Sequence, residues 1–128
     1  MSVEGQEMAR IGPGLLVLLG VKVGDGPEQA DRIAAKLRRL RIFEDAEGRM
    51  NLGLEESGGE VLCISQFTLY GDARKGNRPS FVAAAAPDVA EPLYKRVREA
   101  LSAQGGAFGA HMTVALVNDG PVTIMLEA

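Results

Sequence analysis

Apolar positions along the 128-residue chain fall into three patterns: unbroken runs, spacings of three and four, and strict alternation. These mark, in turn, buried strands, one-sided helices and half-covered strands. Val3–Glu4 and Met8–Ile11 flank Gly5-Gln6 in the manner of a hairpin. Gly12-Pro13-Gly14 then turns the chain into Leu15–Val23, a run so continuously apolar that a strand covered on both faces is expected. Asp25-Gly26-Pro27-Glu28 reads as a helix start, because proline suits the first helical position and acids favour the first turn. Ile33, Leu37 and Leu40 give that helix one apolar stripe. Lys36, Arg38, Arg39 and Arg41 lie mostly off it, on a face read as solvated. Phe43–Gly59 mixes acids with glycines and reads as loop. Glu60–Leu69 is the next strand, buried by its Val61-Leu62-Cys63-Ile64. Gly71–Ser80 is a polar, basic loop. Ala86-Pro87-Asp88 opens a second helix with Ala90, Leu93, Tyr94, Val97 and Leu101 on one face, and Gly105-Gly106 ends it. Phe108–Val117 sets Met112, Val114 and Leu116 against His111, Thr113 and Ala115. After Asn118-Asp119-Gly120-Pro121, Val122–Leu126 forms the last strand.

Strands outnumber helices and several neighbours read as antiparallel. The expected fold is α+β: a compact, curved, mostly antiparallel sheet or partial barrel with two helices packed outside, one domain over residues 1–128. No internal repeat or linker divides the chain.

Composition narrows the chemistry. With 46 % hydrophobic and 24 % charged residues, the chain can bury a core without metal or disulfide staples. Its only cysteine is Cys63 and its only histidine is His111, which excludes an internal disulfide. A structural zinc site made of four cysteines, or of two cysteines and two histidines, is excluded on the same ground. No apolar run approaches the roughly 18 residues of a membrane span. The polar, acidic MSVEGQEMAR is wrong for a secretory signal, so a soluble, cytoplasmic protein is expected. A net charge of −3 argues against broad DNA binding and leaves room for a local basic patch.

Three segments could carry chemistry. Ser65-Gln66-Phe67-Thr68-Leu69-Tyr70-Gly71-Asp72 ends a buried strand, where rigid backbone presents polar groups to a ligand; the plainer alternative is a strand edge whose hydroxyls satisfy backbone. Asn118-Asp119-Gly120-Pro121-Val122-Thr123 breaks the ladder between two strands, either as a simple turn or to aim main-chain carbonyls at something. Arg74, Lys75 and Arg78 suit a phosphate-bearing ligand, or a solvated loop. Cys63 sits in an apolar run and reads as an inert core thiol. His111 opposes Met112 and Val114, so a surface place is expected for it. Asp72 is in reach of Arg74 or Arg78. No P-loop or Rossmann glycine pattern is present.

Taken together, Ser65–Asp72, Lys75-Gly76-Asn77-Arg78-Pro79-Ser80-Phe81 and Asn118–Thr123 resemble the D-aminoacyl-tRNA deacylase family. Ile11–Val17 and Phe108-Gly109-Ala110-His111-Met112 also fit its pattern, so the resemblance runs through the whole chain in order. It implies hydrolysis of the ester between a D-amino acid, or mischarged glycine, and the 3′-terminal ribose of tRNA. It implies a homodimer in which a cis Gly120-Pro121 of one subunit enters the other's pocket, with aminoacyl-tRNA as partner and no cofactor, metal, membrane or DNA. Ser65, Gln66, Phe67 and Thr68 would form the catalytic wall. Gly120, Pro121, Thr123 and Met112 would bind substrate and reject L-residues, and Arg74, Lys75 and Arg78 would meet the tRNA.

Two mechanisms fit that resemblance. Thr68 acts as nucleophile or orients water, although no evident base serves it. Alternatively, N–H groups around Phe67-Thr68 hold the oxyanion while the ribose 2′-OH positions water; this second is preferred. A relative that binds the tRNA 3′ end without turnover is the alternative function, and a hydrolase of other small esters or amides is a third. Family members usually begin with a further strand. By that resemblance about ten residues of it are expected before Ser2-Val3-Glu4-Gly5, and a chain without them is expected to leave a neighbouring strand edge open.

Overall fold

The computed structural model describes residues 1–128. A short antiparallel hairpin, β1 (Ser2–Val3) and β2 (Gln6–Glu7), turns through Glu4-Gly5. β3 spans Gly14–Leu19 and α1 spans Pro27–Arg39, with Pro27 at the first helical position and the Gln29 side chain accepting from the Gly26 N–H at 2.8 Å. A second small hairpin follows, β4 (Phe43–Glu44) and β5 (Met50–Leu52), then the one-turn helix α2 (Leu54–Ser57). β6 runs Glu60–Ser65 into a 3₁₀ turn at Phe67–Tyr70, α3 spans Pro87–Ala100, and β7 is Gln104–Gly105.

The main sheet has the order β3-β6-β7 and is parallel throughout. Parallel neighbours need a crossover, and α1 supplies the one between β3 and β6. The α+β class therefore stands. The expected mostly antiparallel sheet is corrected: antiparallel pairing is confined to the two small hairpins and isolated bridges, and the strands do not close into a barrel. The two expected helices are α1 and α3, which pack against each other on one face of the sheet.

β6 explains why. Val61 and Cys63 face one cluster with Val17, Leu19, Ala34, Leu37, Leu93, Tyr94 and Val97. Leu62 and Ile64 face a second with Met1 and Ala9, against which Leu16, Met112 and Val114 pack. Alternation along a strand sends successive side chains to opposite faces, so a four-residue apolar run fills both clusters. The same expectation fails for part of β3, where Leu18 is 43 % exposed.

Three further corrections follow from pairing. Phe43–Gly59 is ordered: Asp45 Oδ1 accepts the N–H groups of Glu47 and Arg49 at 2.9 and 3.0 Å and shapes the β4–β5 turn. Gly105 joins β6 as a strand where the sequence marks only a helix end. A Cβ there would strike the Tyr94 hydroxyl and come 2.8 Å from Arg98 Nε, so only glycine allows this approach. Finally, burial alternates from Phe108 to Val114 as the sequence suggests, but Leu116, expected on the covered face, is exposed with Ala115 and Val117; only Thr113 is bridged, to Ser2, and Val122–Leu126 forms no strand. A strand is defined by its ladder partner, and within one chain none lies beside residues 114–126.

The Tyr94 hydroxyl donates to the Cys63 carbonyl at 2.6 Å, tying α3 to the middle of β6. Tyr94→Phe is expected to lower stability by about 1 kcal/mol, read as a shifted urea midpoint at unchanged slope.

Candidate active site

β3 and β6 end in register at Leu19 and Ser65, and the Gln66 N–H donates to the Leu19 carbonyl at 2.8 Å. The ladder stops there. Phe67–Tyr70 then coils into the 3₁₀ turn, closed by the Leu69 N–H on the Gln66 carbonyl at 3.2 Å and the Gly71 N–H on the Thr68 carbonyl at 2.9 Å. The strand expected through Leu69 therefore ends four residues early. The first N–H groups of such a turn have no acceptor within it. Those of Phe67 and Thr68 find none elsewhere in the chain, and both residues are exposed. Gln66 Nε2 donates to Thr68 Oγ1, which leaves the hydroxyl proton free to donate outward. Ser65 and Gln66 are half-buried at the strand end.

Phe67 is 56 % exposed and held edge-on by Phe81, ring centroids 5.1 Å apart. The sequence does not assign Phe81 this role; its signals are its place at the end of the Lys75–Phe81 segment and an aromatic directly after the basic loop. That loop is pinched shut by reciprocal Asp72–Ser80 main-chain bonds of 2.7 and 2.8 Å. Asp72 takes Arg74 as its partner, accepting Nε at 2.9 Å and Nη2 at 2.7 Å. Those hydrogen bonds from Arg74 hold the Asp72 carboxyl down at about 2. Lys75 and Arg78 are exposed and pair with no carboxylate. Of the three loop cations, Arg74 is the one tied within the loop.

Gly120-Pro121 is a cis peptide bond on the exposed surface. Gly120 has φ +139°, and a Cβ there would lie 2.8 Å from Val122 Cγ2, so glycine is required. Asn118 clamps the segment: its Nδ2 donates to Thr123 Oγ1 at 3.1 Å, and its Oδ1 accepts the Val122 N–H at 3.0 Å. No hydrogen bond joins this segment to Ser65–Thr68 within the chain. Burial, followed by the charges of Glu127 and Asp25, raises the Tyr70 pKa. Met112 packs against the smaller apolar cluster, which includes Leu62 and Ile64 of β6, the residues just before Ser65.

The remaining candidates are placed simply. Cys63 is fully buried, and burial pushes its thiol up to about 12. His111 is exposed. No group of three or more His, Cys, Asp or Glu side chains converges as a metal site would require. No helix is long and apolar enough to cross a membrane.

An α+β fold that presents two free main-chain donors, a hydroxyl and an aromatic wall at one strand end has the equipment of an acyl-ester hydrolase. Residues 1–127 match the family model described as D-Tyr-tRNA(Tyr) deacylase, and the chain belongs to that family: it is an enzyme, a deacylase. It is 56 % identical over 133 residues to a D-aminoacyl-tRNA deacylase of Myxococcus xanthus (strain DK1622), covering 100 % of this chain and 87 % of that protein. It is 56 % identical over 131 residues to one from Deinococcus deserti (strain DSM 17065 / CIP 109153 / LMG 22923 / VCD115), covering 98 % and 90 %. A solved structure described as "c-Myc DNA Unwinding Element Binding Protein" superposes with a TM-score of 0.93 at 38 % identity, over 99 % of this chain and 90 % of that one. A second, a probable eukaryotic D-amino acid tRNA deacylase, shares the fold with a TM-score of 0.69 at 21 % identity, over 86 % and 83 % of the chains.

Two outcomes test the site electrostatics. Asp72 has a folded pKa below its ordinary 3.8, so the loop contact it makes is present above that value and lost as pH falls through about 2. NMR titration of its carboxyl is expected to show that midpoint, and Arg74→Gln to move it back toward 3.8. Cys63 is expected to stay unreactive to a thiol reagent at pH 8 until the protein is unfolded.

Proposed function

We propose that the chain, acting as one domain over residues 1–128, is a chirality-proofreading hydrolase of D-aminoacyl-tRNA and of glycine mischarged on tRNA. It works in the cytoplasm as a homodimer. The observation that carries this reading is the pair of unpartnered Phe67 and Thr68 N–H groups beside the Thr68 hydroxyl.

Water adds to the ester carbonyl carbon, and the carbonyl oxygen takes the negative charge, which the two N–H groups receive. The C–O bond to the ribose then breaks, the 3′ oxygen takes the proton that the attacking water gives up, and free D-amino acid and tRNA leave. Thr68 Oγ1, fixed by Gln66, orients water rather than attacking, because no carboxylate or imidazole hydrogen-bonds to it. The ribose 2′-OH supplies the other hold on the water. Ser65 and Gln66 support the wall, and Phe67 covers the ester. Lys75 and Arg78 meet phosphates near the 3′ end, with Arg74 shaped by Asp72.

L-residues are rejected by the Gly120-Pro121 main chain, which crowds the Cα substituent and admits a hydrogen there. The motif acts in the partner's pocket. Two features support this: no hydrogen bond links it to its own chain's Ser65–Thr68, and exposed Leu116, Val117, Ile124 and Met125 flank it. Val117 is 92 % exposed and Met125 83 %, on segments that pair with no strand of the chain. A second copy would cover them. The competing reading, binding without turnover, draws on the lack of a base at Thr68.

Matched D-Tyr-tRNA and L-Tyr-tRNA are the test. The wild-type chain is expected to hydrolyse only the D-ester. Thr68→Ala is expected to slow this by about 10- to 100-fold without abolishing it. Gly120→Ala is expected to erode the D/L ratio as its Cβ displaces the Val122 side of the motif. Intact D-Tyr-tRNA bound by the wild-type protein would favour the binding-only reading.

A further inference from the structure

Residues 32–41 hold five of the chain's 14 Lys and Arg and none of its 17 Asp and Glu. Arg32, Lys36, Arg39 and Arg41 line a groove of about 540 Å³ together with Ala35 and Leu40. All four cations are exposed or half-exposed, and none takes part in the chain's four ion pairs, Arg10–Glu7, Arg74–Asp72, Lys95–Glu91 and Arg96–Asp31. Arg41 is held in place: its Nε donates to the Asn51 carbonyl at 2.9 Å and its Nη2 to Asn51 Oδ1.

Cations in the last turn of a helix complement its dipole, which accounts for Lys36 and Arg39. It does not account for Arg32, in the second turn, or for Arg41, beyond the helix end. Arg32, Lys36 and Arg39 recur at four and three residues, on the side of α1 away from its buried Ala30, Ala34 and Leu37. That row is about 10 Å long at the helix rise. A nucleic-acid duplex carries a charge about every 1.7 Å of its axis, so a row this long faces several phosphates. A planar guanidinium matches phosphate oxygens in pairs.

We infer that this groove binds the phosphodiester backbone of a nucleic-acid duplex, and that the duplex is the stem of the tRNA whose 3′ end enters the active site. The inference rests on the proposed tRNA substrate. Position separates it from the loop cations. β3 and β6 run toward the active site at Leu19 and Ser65. The crossover helix α1 runs back, so Arg39 and Arg41 lie toward the far end of the sheet, about 20 Å from the start of α1 at the helix rise. The reacting 3′ end does not extend that far, whereas the stem behind it does.

The test is binding of an unacylated tRNA acceptor-stem hairpin, followed by fluorescence anisotropy at several salt concentrations, which needs no turnover. Arg32→Gln/Lys36→Gln/Arg39→Gln is expected to raise Kd about tenfold near 0.1 M salt and to flatten the log Kd–log salt slope by about 2 to 3. Arg32→Lys/Arg39→Lys keeps the charge and is expected to keep most of the slope. Equal affinity and slope for the wild-type and triple-Gln proteins would overturn the inference, as would no hairpin binding by the wild type. Tighter binding of a duplex DNA of equal length would overturn the assignment to tRNA. The deacylase reading fails separately, if the wild-type protein leaves D-Tyr-tRNA intact while it still binds the hairpin.

Discussion

β6 lies between β3 and β7 and carries an apolar cluster on each face, and the rest of the chain is arranged around that constraint. Cys63 and Ile64 are almost wholly withdrawn from solvent, one toward the helices and one toward Met1 and Ala9. Each buried aliphatic side chain of this size contributes about 1.5–3 kcal/mol of apolar transfer. Register follows from the same fact, because a one-residue slip would exchange the two faces. The parallel pairing with β3 forces the crossover through α1, and the Tyr94 hydroxyl on the Cys63 carbonyl brings α3 onto the same strand.

The proposed active site lies where that constraint ends. As long as β6 stays between its neighbours, its N–H groups are used by the ladder. At Gln66 the last of them reaches Leu19, and the chain turns. The next two N–H groups are released at a fixed position, anchored from below by the most deeply buried part of the fold. An ester hydrolase that relies on main-chain donors gains from this placement, since the donors need not reorganise as charge develops. Phe81 meets Phe67 edge-on from the far side of the loop closed by Asp72 and Ser80, so one ring wall and one pair of donors are set by two separate closures.

Charge is distributed by the same architecture. The chain is acidic overall, yet α1 presents a row of unpaired cations on the face its buried stripe leaves to solvent. The Asp72–Arg74 contact, by contrast, neutralises one loop cation within the loop. The segment through Gly120-Pro121 has the opposite character, with Val117 and Met125 open to solvent and no ladder within one chain.

Much is legible in the sequence, and for identifiable reasons. Pro27 and the Ile33–Leu37 stripe announce α1, and Ala90–Leu101 announces α3, because helical period and first-turn chemistry are local. Val61–Ile64 announces a buried strand, and the Ser65–Asp72 and Asn118–Thr123 motifs stand out as polar segments beside apolar ones. Direction of pairing is not legible. The two main strands carry no local mark of being parallel, and only packing against α1 and α3 decides it. Nor does the sequence show that the strand stops at Ser65, that Arg74 takes Asp72, or that Phe81 meets Phe67, since each depends on residues brought together by loop closure. The alternation in Phe108–Val117 correctly marks one-sided burial as far as Val114, fails at the exposed Leu116, and wrongly suggests a strand within the chain. Side-chain pattern records which face is covered, whereas a ladder requires a partner edge, which is a property of the tertiary structure alone.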